Sequence, residues 1–130
     1  KSCDVRICIH KNPQSEHHDM LLFQRKKNYY APHKHKYCGD TYHVIQGELA
    51  CFLFDEKGEI TYFCTVKKND IFKTPKQVYH VTIPITDVVY HESKSGPFNA
   101  KTNSIFPRWA PKLKTDKKKF QKKLLKILNA

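Results

Sequence analysis

Short runs of β-forming residues, separated by turn signals, recur along most of this chain. Runs rich in Val, Ile, Tyr, Phe and Thr return about every eight to twelve residues, and Gly or Asn-Asp pairs stand between several of them. The expected strands cover residues 5–9, 20–24, 40–45, 48–55, 60–66, 71–74, 78–83 and 88–92. Strands this short and this regularly spaced predict an all-β sandwich or barrel.

The pattern changes towards the C-terminus. Residues 94–111 contain three Pro and are expected to form an ordered loop that Phe106 and Trp109 hold against the body. Beyond this loop Lys is frequent, and apolar residues recur at helical spacing, at Phe120, Leu124, Ile127 and Leu128. We therefore divide the chain into a barrel with its loop, residues 1–111, and a short Lys-rich amphipathic helix, residues 112–130.

Charge is concentrated in this last segment. The formal net charge is +12, and eight Lys but only one acid lie between residues 112 and 126, so the body is only mildly basic. The helix is expected to dock on the barrel or on a second subunit through its apolar face. Peripheral contact with an anionic membrane is the alternative. Nucleic-acid binding is not favoured, because no aromatic interleaving or known motif accompanies the Lys residues.

Cysteine usage indicates a reducing compartment. The five Cys are odd in number and include no CxxC pair, which favours neither a disulfide framework nor a zinc ribbon. Cys8, Cys51 and Cys64 lie within apolar runs and are expected to be buried. No run approaches the ~20 apolar residues that span a bilayer, and no signal peptide is recognisable. We expect a cytoplasmic protein.

The most informative segment is Pro32-His33-Lys34-His35. In a strand, side chains two residues apart point the same way, so His33 and His35 can hold one metal from a single strand. Asp40 begins the next expected strand, and His80 follows the turn residue Pro75 by five positions. Three imidazoles and a carboxylate suit Zn, Fe(II), Ni or Mn.

This spacing, HxH-x4-D-x6-G followed by P-x4-H, resembles the two cupin motifs. The usual form has Glu where Asp40 stands, commonly Gly where Gln77 stands and Asn where Pro84 stands. The shorter Asp arm leaves open whether Asp40 binds the metal directly or through water.

A closer resemblance covers about residues 5–111. The stretches HVIQGELACFLFDEKGEI, TPKQVYHVTIP, YHESKSGPFN and FPRWAP are similar to those of WbuC-type cupin-fold metalloproteins. Such proteins often carry a short helix ahead of the first strand, and no such helix is expected within this sequence. The resemblance implies a double-stranded β-helix of jelly-roll type and an association with bacterial surface-polysaccharide (O-antigen) biosynthesis.

Candidate residues for proton transfer follow from position. Tyr42 has the strand parity of Asp40, and Tyr30 precedes the HxH segment, so either could move a proton or bind a substrate oxygen. His43 points into the barrel only if a bulge reverses its side. Cations that could bind a substrate phosphate or carboxylate are Arg25, Lys34 and Arg108.

Three functions remain open at this point. The favoured one is a metal-dependent isomerase or epimerase that acts on a sugar or sugar phosphate in polysaccharide assembly. The second is an Fe(II)-dependent dioxygenase. The third is a non-catalytic sugar-binding or assembly module with a structural metal, whose coordination sphere would be saturated. In each case the apolar outer strands favour a homodimer.

Overall fold

A computed structural model describes residues 4–26, 28–99, 101 and 103–130. Within this part of the chain the strands are β1 (Val5–Cys8), β2 (His17–Gln24), β3 (Thr41–Gln46), β4 (Leu49–Phe54), β5 (Ile60–Val66), β6 (Ile71–Lys73), β7 (Tyr79–Pro84) and β8 (Val88–Ser95), and they precede one helix, α1 (Lys114–Leu128). The predicted all-β body with a C-terminal helix is confirmed.

The strands form two antiparallel sheets that face each other. The larger sheet has the order β1-β2-β8-β3-β6, and the smaller has the order β5-β4-β7. Alternate residues of both sheets point into the space between them, as the period of two in a strand requires. Their apolar side chains form one core between the sheets: Met20, Leu22, Tyr42, Val44, Leu49, Cys51, Val66, Val88 and Tyr90.

Helix α1 covers the outer face of the smaller sheet. Leu124 is buried, and Phe120, Leu125 and Leu128 pack with it against the outward residues of β4 and β7. This explains why every residue of β7 is buried, since the core covers one face and the helix the other. Lys residues occupy much of the remaining surface of the helix.

Trp109 fixes the loop that leads to the helix, as predicted. Its ring centroid lies 5.0 Å from that of Phe54, and its Nε1 donates to the carbonyl of Glu56 at 3.1 Å. Phe106, the other residue predicted to hold this loop, is 61% exposed.

The cysteines follow their strands. Cys51 is buried in the core, as predicted, whereas Cys8 is exposed because β1 is an edge strand. Cys64 is partly buried. In the described part of the chain no helix is long and apolar enough to cross a membrane.

Candidate metal centre

Backbone pairing brings the HxH segment against β7. The amide of His33 donates to the carbonyl of His80 at 3.1 Å, and the amide of His80 donates to the carbonyl of His33 at 2.9 Å. Residues that exchange both hydrogen bonds lie directly opposite each other. The ring centroids of His33 and His80 are therefore only 4.5 Å apart, and His35, two residues on, lies 5.3 Å from His80 by the same measure.

Asp40 is held at the start of β3 by a close backbone approach. Its amide donates to Oγ1 of Thr74 at 2.9 Å, and the amide of Thr74 donates to the carbonyl of Asp40 at 2.8 Å. Gly39 makes this approach possible, because a Cβ at that position would lie 1.8 Å from the carbonyl oxygen of Thr74.

The Asp40 carboxylate lies at the centre of the cluster. Its Oδ2 is 2.8 Å from Nε2 of His35, 3.2 Å from Nε2 of His80 and 3.0 Å from the hydroxyl of Tyr42. Its Oδ1 is buried and has no hydrogen-bond partner in the described part of the chain. A buried carboxylate oxygen without a partner is costly unless another group, such as a cation, binds it.

The imidazoles are oriented by backbone carbonyls. Nδ1 of His33 is 2.9 Å from the carbonyl oxygen of Ala31, Nδ1 of His80 is 3.2 Å from that of Val78, and Nδ1 of His35 donates to that of Asn103. Since a carbonyl only accepts, each Nδ1 carries the hydrogen. Each Nε2 is thereby directed into the cluster, which is the usual way in which proteins orient metal-binding His.

These four side chains could hold one metal ion. One donor atom from each of His33, His35, Asp40 and His80 lies within 4.8 Å of all the others. Bonds from zinc to imidazole nitrogen or carboxylate oxygen are about 2.0–2.2 Å long, so small side-chain rotations would bring donors this close onto a common ion. The donor chemistry, the oriented Nε2 atoms and the unpartnered Oδ1 all fit such an ion.

Burial and charge in the cluster shift its pKa values. Burial, assisted by the neighbouring His80, lowers the pKa of His33 to about 4. Burial alone would raise the pKa of Asp40, but hydrogen bonds from His35 and His80 hold it well below its usual range. Burial opposes a charge on His35 too, yet its hydrogen bond to Asp40 raises its pKa. The carboxylate is therefore ionised and His33 neutral at pH 7, as metal ligands must be, and a metal would replace the Nε2 protons that His35 and His80 donate to Asp40.

The cluster opens into a cavity of about 220 Å³ between the sheets. The candidate ligands His33, His35 and Asp40 line this cavity, together with Tyr42 and Tyr30. The other lining residues are Arg6, Leu22, Gln24, Thr82, Tyr90, Glu92, Lys94, Asn103 and Ser104. The cavity is thus largely polar and contains charges of both signs.

The predicted proton-transfer residues occupy different places. Tyr42 lines the cavity and donates to Asp40, whereas the hydroxyl of Tyr30, at the cavity wall, donates to Asp4. Burial raises the pKa of both phenols, well above the ordinary value for Tyr42. His43 lies between the buried residues Tyr42 and Val44 on β3 and therefore faces outward. The bulge in β3 follows Val44 and leaves this orientation unchanged.

The predicted substrate-binding cations lie outside this cavity. Arg25 is exposed, with Nη1 3.5 Å from Oδ2 of Asp87. Lys34 alternates with the two His and so points the other way, where its Nζ contacts Glu56 at 2.9 Å. Arg108 is exposed.

Three further charged residues line the cavity: Arg6, Glu92 and Lys94. Sequence reasoning left open whether His91 or Glu92 faces it and did not name Arg6 or Lys94. Glu92 and Lys94 share a face of β8 with the buried Val88 and Tyr90, so parity along this strand could have found them. Arg6 has no such signal, because β1 is exposed throughout and only its pairing opposite Leu22 directs the side chain inward. Burial and the charge of Asp40 raise the pKa of Glu92 to about 7.

Solved structures share this architecture. A cupin superfamily protein from Desulfitobacterium hafniense matches with a TM-score of 0.61 and 9% identity, covering 73% of this chain and 79% of that one. This chain has the cupin fold. An uncharacterised Klebsiella pneumoniae protein with a double-stranded β-helix domain gives a TM-score of 0.62 at 15% identity, covering 80% and 79% of the two chains. KdgF from Halomonas sp. gives 0.59 at 18% identity, covering 75% and 82%.

The solved structures establish the fold of this chain. At these identities, structural similarity carries no information on substrate or reaction. A family model described as a domain of unknown function, DUF6016, matches residues 5–66, which include three of the four cluster residues. No curated protein matches the chain.

Proposed function

We propose that this chain is a metal-dependent cupin enzyme that isomerises or epimerises a sugar. The observation that carries the proposal is the combination of one metal-binding cluster and one titratable carboxyl, Glu92, on the walls of a single polar cavity. A structural metal site needs no such cavity, since its coordination sphere is closed by protein ligands.

The size of the cavity supports a small substrate. Pockets for drug-sized ligands are roughly 300–1,000 Å³, whereas this one holds about 220 Å³. A single sugar ring fits the smaller volume better than a whole nucleotide sugar. Any nucleotide or lipid carrier would extend outward from the cavity.

The residues around the cluster can divide the chemistry between them. A divalent metal bound to the cluster would polarise a carbonyl oxygen of the sugar and so acidify the C–H on the neighbouring carbon. Glu92, with its pKa raised to about 7, can take that proton and return it to the neighbouring carbon or the opposite face. Tyr42 holds Asp40 through its hydroxyl and acts as a positioning residue.

The resemblance to WbuC-type proteins supports a place in bacterial surface-polysaccharide assembly, in the cytoplasm. The most specific element of that resemblance, residues 90–99, supplies Glu92 and Lys94 to the cavity wall. The second element, around Trp109, packs against Phe54 and fixes the loop beside the barrel. Both elements therefore serve the cavity or its support.

Metal content is the first test. We would purify the protein without added metal or chelator and measure the metals bound by wild type, His80→Ala and His43→Ala. We expect about one metal per chain in wild type and in His43→Ala, whose side chain faces outward, and loss of the metal in His80→Ala. A wild type that binds no metal even after reconstitution would refute the proposed enzyme.

Reaction type is the second test. Metal-loaded protein would be incubated with glucose, glucuronate and glucose 6-phosphate in D2O, and deuterium at sugar carbons would be followed by NMR. We expect incorporation that Glu92→Gln abolishes, without oxygen uptake. Oxygen consumption that depends on Fe(II), with no deuterium incorporation, would instead establish the dioxygenase alternative.

A further inference from the structure

Two cationic side chains stand where the metal cavity meets a second one. Arg6 and Lys94 line the cavity that contains the cluster, and both also line a neighbouring cavity of about 250 Å³ together with Asn103, Cys8 and His18. They therefore lie at the boundary between the two cavities. Neither was among the substrate-binding cations expected from the sequence.

Strand register turns both residues inward. Arg6 on β1 is paired with Leu22, and Lys94 on β8 is paired with His18. Leu22 and His18 are both only 4% exposed. Because directly paired residues of adjacent strands point to the same face, Arg6 and Lys94 share the inner face with these buried side chains.

These cations lack a carboxylate partner. Arg6 makes no ion pair with any residue that the structure describes, and Nζ of Lys94 donates to Oδ1 of Asn103, a neutral group, at 3.1 Å. Glu92 lines the same cavity, and the charges of Lys94 and Arg6 partly offset the rise in its pKa, but neither cation forms an ion pair with it in the described structure. Oδ2 of Asp40 already contacts His35, His80 and Tyr42.

Two cations that form no ion pair and lie at one cavity boundary favour an anionic ligand. Two cations outside this cavity do contact acids, since Lys34 pairs with Glu56 and Arg25 with Asp87. An Arg guanidinium and a Lys ammonium together bind carboxylate or phosphate oxygens through charge-assisted hydrogen bonds.

We propose that the sugar bound in this cavity carries a carboxylate or phosphate group, which Arg6 and Lys94 bind at the boundary of the two cavities while the ring faces the metal cluster. This inference rests on the proposed function and names its substrate class. The anion fixes the orientation of the ring, so it selects which carbon lies beside Glu92. A neutral sugar lacks this anchor and binds more weakly.

The test is a comparison of three ligands that share one ring. Binding of glucose, glucuronate and glucose 6-phosphate to metal-loaded protein would be measured by isothermal titration calorimetry. We expect one or both anionic sugars to bind at least about tenfold more tightly than glucose. Preference for glucuronate would identify a carboxylate substrate, and preference for glucose 6-phosphate a phosphorylated one.

Variants test the assignment of the two cations. Arg6→Gln and Lys94→Gln should each weaken binding of the preferred anion about tenfold and leave glucose binding and metal content unchanged. Lys68→Gln, an exposed lysine in the turn after β5, is the matched control and should change nothing. Thermal unfolding of each variant would verify that it is folded.

The outcomes separate this inference from the proposed function. Equal affinity for all three sugars, no measurable binding of any of them, or wild-type anion binding in both Gln variants would overturn the anion site. Selective anion binding by a protein that catalyses no exchange would leave the site intact and refute the enzyme instead.

Discussion

At the residue scale, Asp40 connects the cluster to the rest of the cavity. Its Oδ2 lies within hydrogen-bond distance of two imidazoles and Tyr42, while Oδ1 stays buried without a partner. A Glu at this position would place the carboxylate one methylene further from the backbone. The short Asp arm is matched here by the close approach of Gly39 to the carbonyl of Thr74.

Replacing the carboxylate by an amide should weaken metal binding strongly. Asp40→Asn keeps the shape but removes the negative charge, so we expect metal affinity to fall by about 100-fold in a competition assay with a chelating dye. Tyr42→Phe removes only the hydroxyl that holds Asp40, and we expect a fall of about tenfold. Equal, small effects of both substitutions would mean that Asp40 does not contact the metal.

Glu92 should make stability depend on pH. Its pKa is about 7 in the folded protein and 4.5 in the unfolded chain, so the unfolded state loses its proton first as pH rises. The free energy of unfolding should therefore fall as pH rises from about 4.5 to about 7. The upper limit of this fall is about 3 kcal/mol, and the real fall is smaller because the carboxyl lines an open cavity.

Glu92→Gln tests this titration, since an amide carries no proton to lose. In chelator-treated protein, we compare the free energies of unfolding of the variant and of wild type. The difference, variant minus wild type, should increase by about 2 kcal/mol from about pH 5 to about pH 8. Urea unfolding at both pH values measures this gain. A constant difference between the two proteins would show that Glu92 ionises normally.

At the element scale, period-two reasoning predicted the strands better than their ends. It placed His33 and His35 on one side and Tyr42 with Asp40, and the structure agrees because each inference concerns near neighbours in the chain. The same parity directs Lys34 away from the cavity, against its predicted role in substrate binding. β2 begins three residues before its predicted start, at His17, because its polar first residues pair with the end of β8.

The cavity residues show the limit of such reasoning. Arg6 reaches the cavity only because β1 pairs with β2 in one particular register. Pairing between strands distant in sequence depends on tertiary packing, which no local pattern contains.

Helix α1 should contribute to stability because it covers the smaller sheet. Leu124 packs among the outward side chains of that sheet and is only 2% exposed. Leu124→Ala should lower the free energy of unfolding by about 2–5 kcal/mol, through lost burial and a residual cavity. Lys122→Ala, exposed on the same helix, should change it by less than about 0.5 kcal/mol. Equal, small effects in urea unfolding would mean that the helix is not docked in solution.

At the scale of the whole molecule, strand β1 leaves an apolar edge uncovered. It is the outer strand of the larger sheet, and Val5, Ile7 and nearby Ile9 are 50%, 56% and 58% exposed. An edge strand with unpaired backbone groups and an apolar row can pair with a second copy of itself. We therefore propose a homodimer formed through β1, in keeping with the expectation from the sequence.

Sedimentation velocity would test this dimer. Wild type should sediment as a dimer, and Ile7→Lys should shift the protein towards monomer, because a lysine facing its symmetry mate brings charge into an apolar contact. Ile71→Lys, at a 68% exposed position on the opposite edge strand β6, is the matched control and should leave the dimer intact. Dissociation by Ile71→Lys alone would move the interface to β6, and a monomeric wild type would refute the dimer. Since Arg6 lies between Val5 and Ile7 with its side chain on the inner face, dimerisation would also fix the strand that carries the anion site.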